Sequence, residues 1–98
     1  MGVLKMVKAI WKDKIIAETD DYEMIEGNVY FPPESVKKEF LKDSNYHTTC
    51  PFKGHASYYD VVIDGEVNKD AAWYYPKPKK GYEKIKDYVA FWHGVKVK

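Results

Sequence analysis

The sequence predicts a mainly β fold: one small domain of two packed antiparallel sheets, or a partly open barrel, with one short helix. Three observations carry that reading. β-Branched and aromatic residues recur in short runs such as Val29-Tyr30-Phe31, Ala56 to Ile63 and Ala71 to Tyr75, and these side chains suit a pleated, half-buried surface. Turn signals such as Glu26-Gly27-Asn28 and Asp64-Gly65 punctuate the runs, with residues that accept left-handed backbone at low cost. Only the segment after Pro32-Pro33 spaces apolar residues as a helix would. The 98 residues fit a single domain, 1–98, with one modest core.

Taken in order, Val3 to Trp11 and Ile15 to Thr19 read as a hairpin around Lys12-Asp13-Lys14. Tyr22 to Ile25 and Val29 to Phe31 read as a second. Pro32-Pro33-Glu34-Ser35 suits a helix entry, because proline is tolerated in a first turn and an acidic residue there favours the helix dipole. Val36, Phe40 and Leu41 then form one stripe, and the helix should end near Asp43-Ser44, with Asn45 to Thr49 leading into a turn at Cys50-Pro51-Phe52-Lys53-Gly54. Ala56 to Ile63 is the next strand, Glu66 to Asn68 starts its return, and Ala71 to Tyr75 is another strand. On its pleat Trp73 and Tyr75 share a face while Tyr74 points the other way. Pro76 to Gly81 must be a loop, Tyr82 to Lys86 holds at most one helical turn, and Tyr88 to Trp92 with Val95 to Val97 should close the chain as a hairpin about His93-Gly94.

Composition narrows the function. Sixteen basic residues against fifteen acidic ones leave a net charge of +1, so no overall field draws the protein to nucleic acid or to a membrane. All the basic residues are lysines; without arginine there is no bidentate fork for guanine edges, which argues against sequence-specific nucleic-acid reading. A single cysteine forbids an internal disulfide. Lys5 and Lys8 interrupt the opening residues where a signal peptide would be apolar, and no run approaches the length of a membrane helix. The expected compartment is cytoplasmic. No Gly-x-Ser-x-Gly elbow and no phosphate-binding Gly-x-x-x-x-Gly-Lys loop is present.

The chemistry-bearing residues gather at Thr49 to Tyr59. Pro51 and Gly54 shape the turn, so Cys50 and Lys53 should sit at one end of the fold. Cys50 reads as a nucleophile or redox-sensitive thiol if Lys53 favours its thiolate, or as an inert buried thiol. Lys53 reads as a cation that holds a carboxylate or phosphate, as a Schiff-base amine if desolvated, or as a surface lysine. Tyr58, Tyr59, Trp73, Tyr74 and Tyr75 read as walls that stack a planar ligand, or as core. His47, Cys50 and His55 match no strong metal pattern, so no metal and no cofactor is expected.

Trp11 with Ile15-Ile16-Ala17-Glu18, Val29-Tyr30-Phe31-Pro32, the run from Thr49 to Tyr59, Ala72-Trp73-Tyr74-Tyr75-Pro76, Ile85 and Val89-Ala90-Phe91 together resemble the family known as domain of unknown function 427. The resemblance runs from about Ile10 onward, and its two signature blocks are the Cys-Pro-x-Lys-Gly run and the later Ala-Trp-x-Tyr. It implies a β-tent-like domain of two small antiparallel sheets packed at an angle, and no established activity. Some groupings of these proteins carry a nucleotidyltransferase-like label; this chain lacks the Gly-Ser turn, and Asp60 and Asp64 are too far apart for the Asp-x-Asp pair that would hold two magnesium ions. Zinc-binding β-tent relatives use two Cys-x-x-Cys knuckles, which one cysteine cannot supply.

The leading expectation is therefore a small-ligand-binding β domain. Its pocket is built around Cys50, Lys53, Tyr58, Tyr59, Trp73 and Tyr75, with Lys53 reading an anionic group of a small molecule. The alternatives are a cysteine-dependent enzyme or redox protein in which Lys53 tunes Cys50, and an interaction module, monomer or homodimer, using an aromatic patch or an edge strand.

Overall fold

The computed structural model describes residues 6–98; the expected start of pairing at Val3 lies outside them. The fold is mainly β. Its strands are β1 (Val7–Trp11), β2 (Lys14–Thr19), β3 (Glu23–Ile25), β4 (Asn28–Tyr30), β5 (Leu41–Cys50), β6 (Gly54–Ile63), β7 (Glu66–Tyr74), β8 (Val89–Phe91) and β9 (Lys96–Val97). They form three sheets, ordered β2-β1-β9, β3-β4 and β5-β6-β7-β8, and every pair within them is antiparallel. Among the described residues no helix is long and apolar enough to cross a membrane.

Three hairpins close through two-residue turns in which both residues have positive φ: Lys12-Asp13 (51° and 61°), Glu26-Gly27 (54° and 81°) and Asp64-Gly65 (51° and 79°). Turns of this hand match the twist of the strands they join. Three features differ from the sequence reading, each for a local reason.

The expected short helix is replaced by two separate 3-10 turns, Pro33–Ser35 and Lys38–Phe40. Between them Val36 is extended, bridges to Ala17, and is followed by Lys37, whose N–H donates to the Ile16 carbonyl at 2.8 Å. The edge of β2 thus claims the residues a helix would have needed. Leu41 then opens a ten-residue strand, not a helix end, and Asn45 to Thr49 is part of it.

The two expected strand pieces around Asn68 and Ala71 are one strand, β7. Its register against β6 shifts between the pairs Tyr59↔Ala72 and Val61↔Asn68, so a bulge spans Lys69 to Ala71 opposite Asp60, with Asp70 at φ 54°.

The expected final hairpin does not form. The outer edge of β8 is already taken by Phe31, whose N–H donates to the Val89 carbonyl at 2.8 Å while the Val89 N–H returns the bond at 2.9 Å. The chain turns at His93-Gly94 and crosses to β1, pairing Ala9 with Val97 and Ile10 with Lys96. This last strand therefore links the sheets. The stretch at Tyr82 to Lys86 does hold one helical turn, a 3-10 turn at Glu83–Ile85.

The main core, which includes Ala9, Ile16, Phe31, Val61, Ile63, Val89 and Phe91, draws on both the three-stranded and the four-stranded sheet. A second cluster of Tyr30, Ala56, Tyr58, Tyr75, Ile85 and Ala90 lies on the same four-stranded sheet. Phe31 is fully buried, meets Phe91 edge-on at 5.6 Å between ring centroids, and carries the backbone link to β8. Truncation of Phe31 to alanine is expected to cost about 3–5 kcal/mol, measured as a fall in the urea midpoint with little change in slope. A change under about 1 kcal/mol would show that Phe31 is not central to the core.

Candidate functional site

The face of the four-stranded sheet that carries the second cluster opens into a cleft of about 230 Å³, lined by Glu26, Asn28, Tyr30, Lys53, Tyr58, Trp73, Tyr75 and Trp92. The pleat explains the selection. Ala56 and Tyr58 alternate with His55, Ser57 and Tyr59 along β6, so the first pair turns inward and the other three away. Directly across, Trp73 pairs with Tyr58, and Tyr75 follows on the same face. Tyr74 faces the other way and stacks on Tyr59, with centroids 4.6 Å apart and planes at 19°.

Of the expected site residues, Lys53, Tyr58, Trp73 and Tyr75 line this cleft. Tyr59 does not; it belongs to the opposite face. Cys50 is half-buried beside the second cluster, outside the cleft lining. His47 and His55 bond across the other face, to Ser57 at 3.2 Å and Thr49 at 2.8 Å, so alternation separates them from Cys50. Among the described residues no three His, Cys, Asp or Glu side chains gather as a metal site.

Lys53 is only 5% exposed. The three-residue turn between Cys50 and Gly54 carries it, and the 76–81 loop braces that turn: the Lys79 N–H donates to the Lys53 carbonyl at 2.9 Å, and Lys79 Nζ donates to the Pro51 carbonyl at 3.0 Å. Gly54 sits at φ 113°, and a Cβ there would stand 3.2 Å from the Lys77 carbonyl, so the loop can lie this close only over glycine. Lys53 Nζ donates to Glu26 Oε1 and lies 5.6 Å from the centre of the Tyr82 ring. Burial opposes its charge, but the hydrogen bond to Glu26 and the neighbouring Cys50 outweigh that, and its ammonium is pushed up to about 12. A lysine held so high is a standing cation, unsuited to the neutral-amine attack of a Schiff base.

The Cys50 thiol is held below its ordinary value, first by the Lys53 backbone N–H, which donates to Sγ at 3.4 Å, and to a smaller extent by the ammonium. It is the amide of Lys53 more than its side chain that acts on the sulfur.

The rings interlock. Trp73 Nε1 donates to the Tyr30 hydroxyl at 3.2 Å, and the Tyr58 hydroxyl shares a hydrogen bond with Thr48 at 3.0 Å. Trp92 stands 5.4 Å from Trp73 with planes at 69°. Burial pushes the Tyr75 phenol up to about 12 and raises that of Tyr30. Both therefore present neutral hydroxyls at physiological pH.

Four lining residues escaped the sequence reading. Glu26 and Asn28 looked like turn residues, and they are; nothing in the local sequence shows that the β3–β4 turn meets Lys53. Tyr30 and Trp92 read as ordinary strand aromatics. Asp60 proves structural: 5% exposed, it accepts the Asp70 N–H at 2.9 Å and a bond from Lys69 Nζ at 3.3 Å. It is committed to the β7 bulge.

The family model for the domain of unknown function DUF427 matches residues 3–98, and the chain belongs to that family. No curated protein matches it.

Three groups at this sheet lose stability together in alkali. The folded values of Lys53, Tyr59 and Tyr75 are each about 12, against ordinary values of 10.5, 10.0 and 10.0. A raised folded value means the native state holds its proton longer, so the contribution is complete below the unfolded value and is lost as pH rises through the folded one. Denaturant unfolding followed from about pH 9 to 12 should show stability falling across that window, and falling less in Lys53→Met. A flat profile would contradict the environment described for these groups.

Proposed function

We propose that this DUF427-family domain binds a small anionic molecule in the aromatic cleft, with Lys53 holding the anionic group and Trp73, Tyr75, Tyr58 and Trp92 enclosing a flat or apolar part. The observation that carries the reading is the placement of Lys53. A lysine buried to this degree needs a counter-charge, and its ion-pair partner is a Glu26 side chain that is 63% exposed. A protein that needed the ammonium only for packing would be served as well by an apolar residue of the same volume.

Size limits the guest. Pockets for drug-sized ligands measure roughly 300–1,000 Å³, and 230 Å³ suits a single ring or a compact oxyanion. The neutral hydroxyls of Tyr30 and Tyr75 and the Asn28 amide supply polar contacts beside the cation.

A second reading rests on the sulfur. The Lys53 N–H at Cys50 Sγ favours thiolate, as in a cysteine-dependent enzyme or redox protein.

Thermal unfolding against a panel of small aromatic and aliphatic carboxylates and phosphates tests the first reading. At least one should raise the midpoint of the parent, and Lys53→Met should fold yet lose that shift. An equal shift in the variant would remove Lys53 from the site.

Alkylation of Cys50 across roughly pH 5 to 10 tests the second. The midpoint should lie below the ordinary thiol value and move only slightly in Lys53→Met, since the amide stays in place. No labelling before unfolding would make Cys50 a packing residue.

A further inference from the structure

The Glu26–Lys53 pair is asymmetric. The ammonium is buried and the carboxylate stands mostly in water. Separating the two costs the carboxylate little, because water already solvates it. It costs the ammonium far more, because an uncompensated charge would remain inside an aromatic wall. Such a pair is therefore costly to open in isolation, whereas replacing the carboxylate by another anion would keep the ammonium compensated.

The carrier of Glu26 suits that role. Glu26 sits in the two-residue turn of the β3–β4 hairpin at φ 54°, where asparagine, aspartate or glycine would be less strained. Its longer side chain reaches Lys53, 27 residues away in sequence. The β3–β4 hairpin is a sheet of its own, tied to the rest of the fold at its far end through the bridge from Phe31 to Val89. The Glu26 side chain also lines the cleft, so its oxygens stand where a guest's anionic group would go.

We propose that Glu26 is a displaceable internal anion, an intramolecular competitor that partners Lys53 until an external oxyanion, carboxylate or phosphate, takes its place. This rests on the reading of Lys53 as the anion-holding group. It adds that the site discriminates by charge. A neutral ring gains nothing from Lys53, since it cannot replace the carboxylate, and a second cation would meet the ammonium. An oxyanion compensates Lys53 and releases Glu26 to water.

The test is a backbone-amide NMR titration of the parent, Glu26→Gln and Lys53→Met with three one-ring probes: phenyl phosphate, benzoate and neutral benzyl alcohol. The amides of Glu26, Gly27, Lys53 and Gly54 report the site. With the competitor's charge removed, Glu26→Gln should bind both anions about tenfold tighter, because a guest then displaces a neutral amide oxygen from the ammonium where it had to displace a carboxylate. Benzyl alcohol should be unaffected, and Lys53→Met should bind neither anion. Glu26→Ala should follow Glu26→Gln, which separates loss of charge from a change of shape.

Anion binding by Glu26→Gln alone, with none by the parent, also supports exchange, with Glu26 the stronger competitor. If the parent binds, Lys53→Met does not, and Glu26→Gln is no tighter, exchange is overturned and the Lys53 site stands. If Lys53→Met binds as the parent does, or if neither parent nor Glu26→Gln responds to either anion, both fall.

Discussion

A buried carboxylate organises the sheet on which the cleft is built. A carboxylate buried as Asp60 is would be costly without hydrogen-bond partners, and it accepts from the amide of Asp70 and the ammonium of Lys69. To bring both to one carboxylate β7 must bulge, and Asp70 takes left-handed backbone to do so. The Asp70 side chain in turn accepts a hydrogen bond from Ser44 of β5. One polar knot thus fastens three adjacent strands at the point where their register slips.

The bulge places the cleft wall. With the ladder interrupted, the Asp70 and Ala71 carbonyls accept from the indole and backbone N–H groups of Trp92, and Asn68 and Lys69 hold His93. Trp92 is swung over Trp73 and Tyr58 by these bonds. On the other side of β6 the register of β5 slips between Asp43 and His47, and Tyr46 meets Tyr58 edge-on at 4.8 Å. A regular four-stranded ladder would have presented Tyr58 and Trp73 as a flat row.

Much of this was legible in residue order, and what was not has definite physical causes. The turns at Gly27 and Asp64-Gly65 follow from residues that accept left-handed backbone, the one at Lys12-Asp13 from the charged break between two apolar runs, and the opposite facing of Trp73 and Tyr74 from the period of a pleat. β5 was misread because an edge strand needs few apolar residues: Lys42-Asp43-Ser44-Asn45 is polar since most of it faces water. The apparent helical stripe at Val36, Phe40 and Leu41 arose from an extended residue between two tight turns. The fate of the last strand depended on whether β8 had a free edge, and Phe31, nearly sixty residues earlier, decides that. In the cleft, Lys53, Tyr58, Trp73 and Tyr75 could be grouped because one turn and one pleat relate them. Tyr59 was grouped with them only by adjacency in sequence. Glu26, the partner of Lys53, is invisible to any local pattern.

The crossing of Trp73 and Trp92, at 5.4 Å and 69°, has an optical consequence. Indoles this close and this steeply inclined share their excited states, which splits their circular-dichroism band into a couplet of opposite signs. Trp11 lies apart from the cleft, against Lys12, Glu66 and Val67, and contributes no such splitting. The bulge that Asp60 enforces has thus given the protein a chromophore pair whose signal depends on the angle between two rings of the cleft wall.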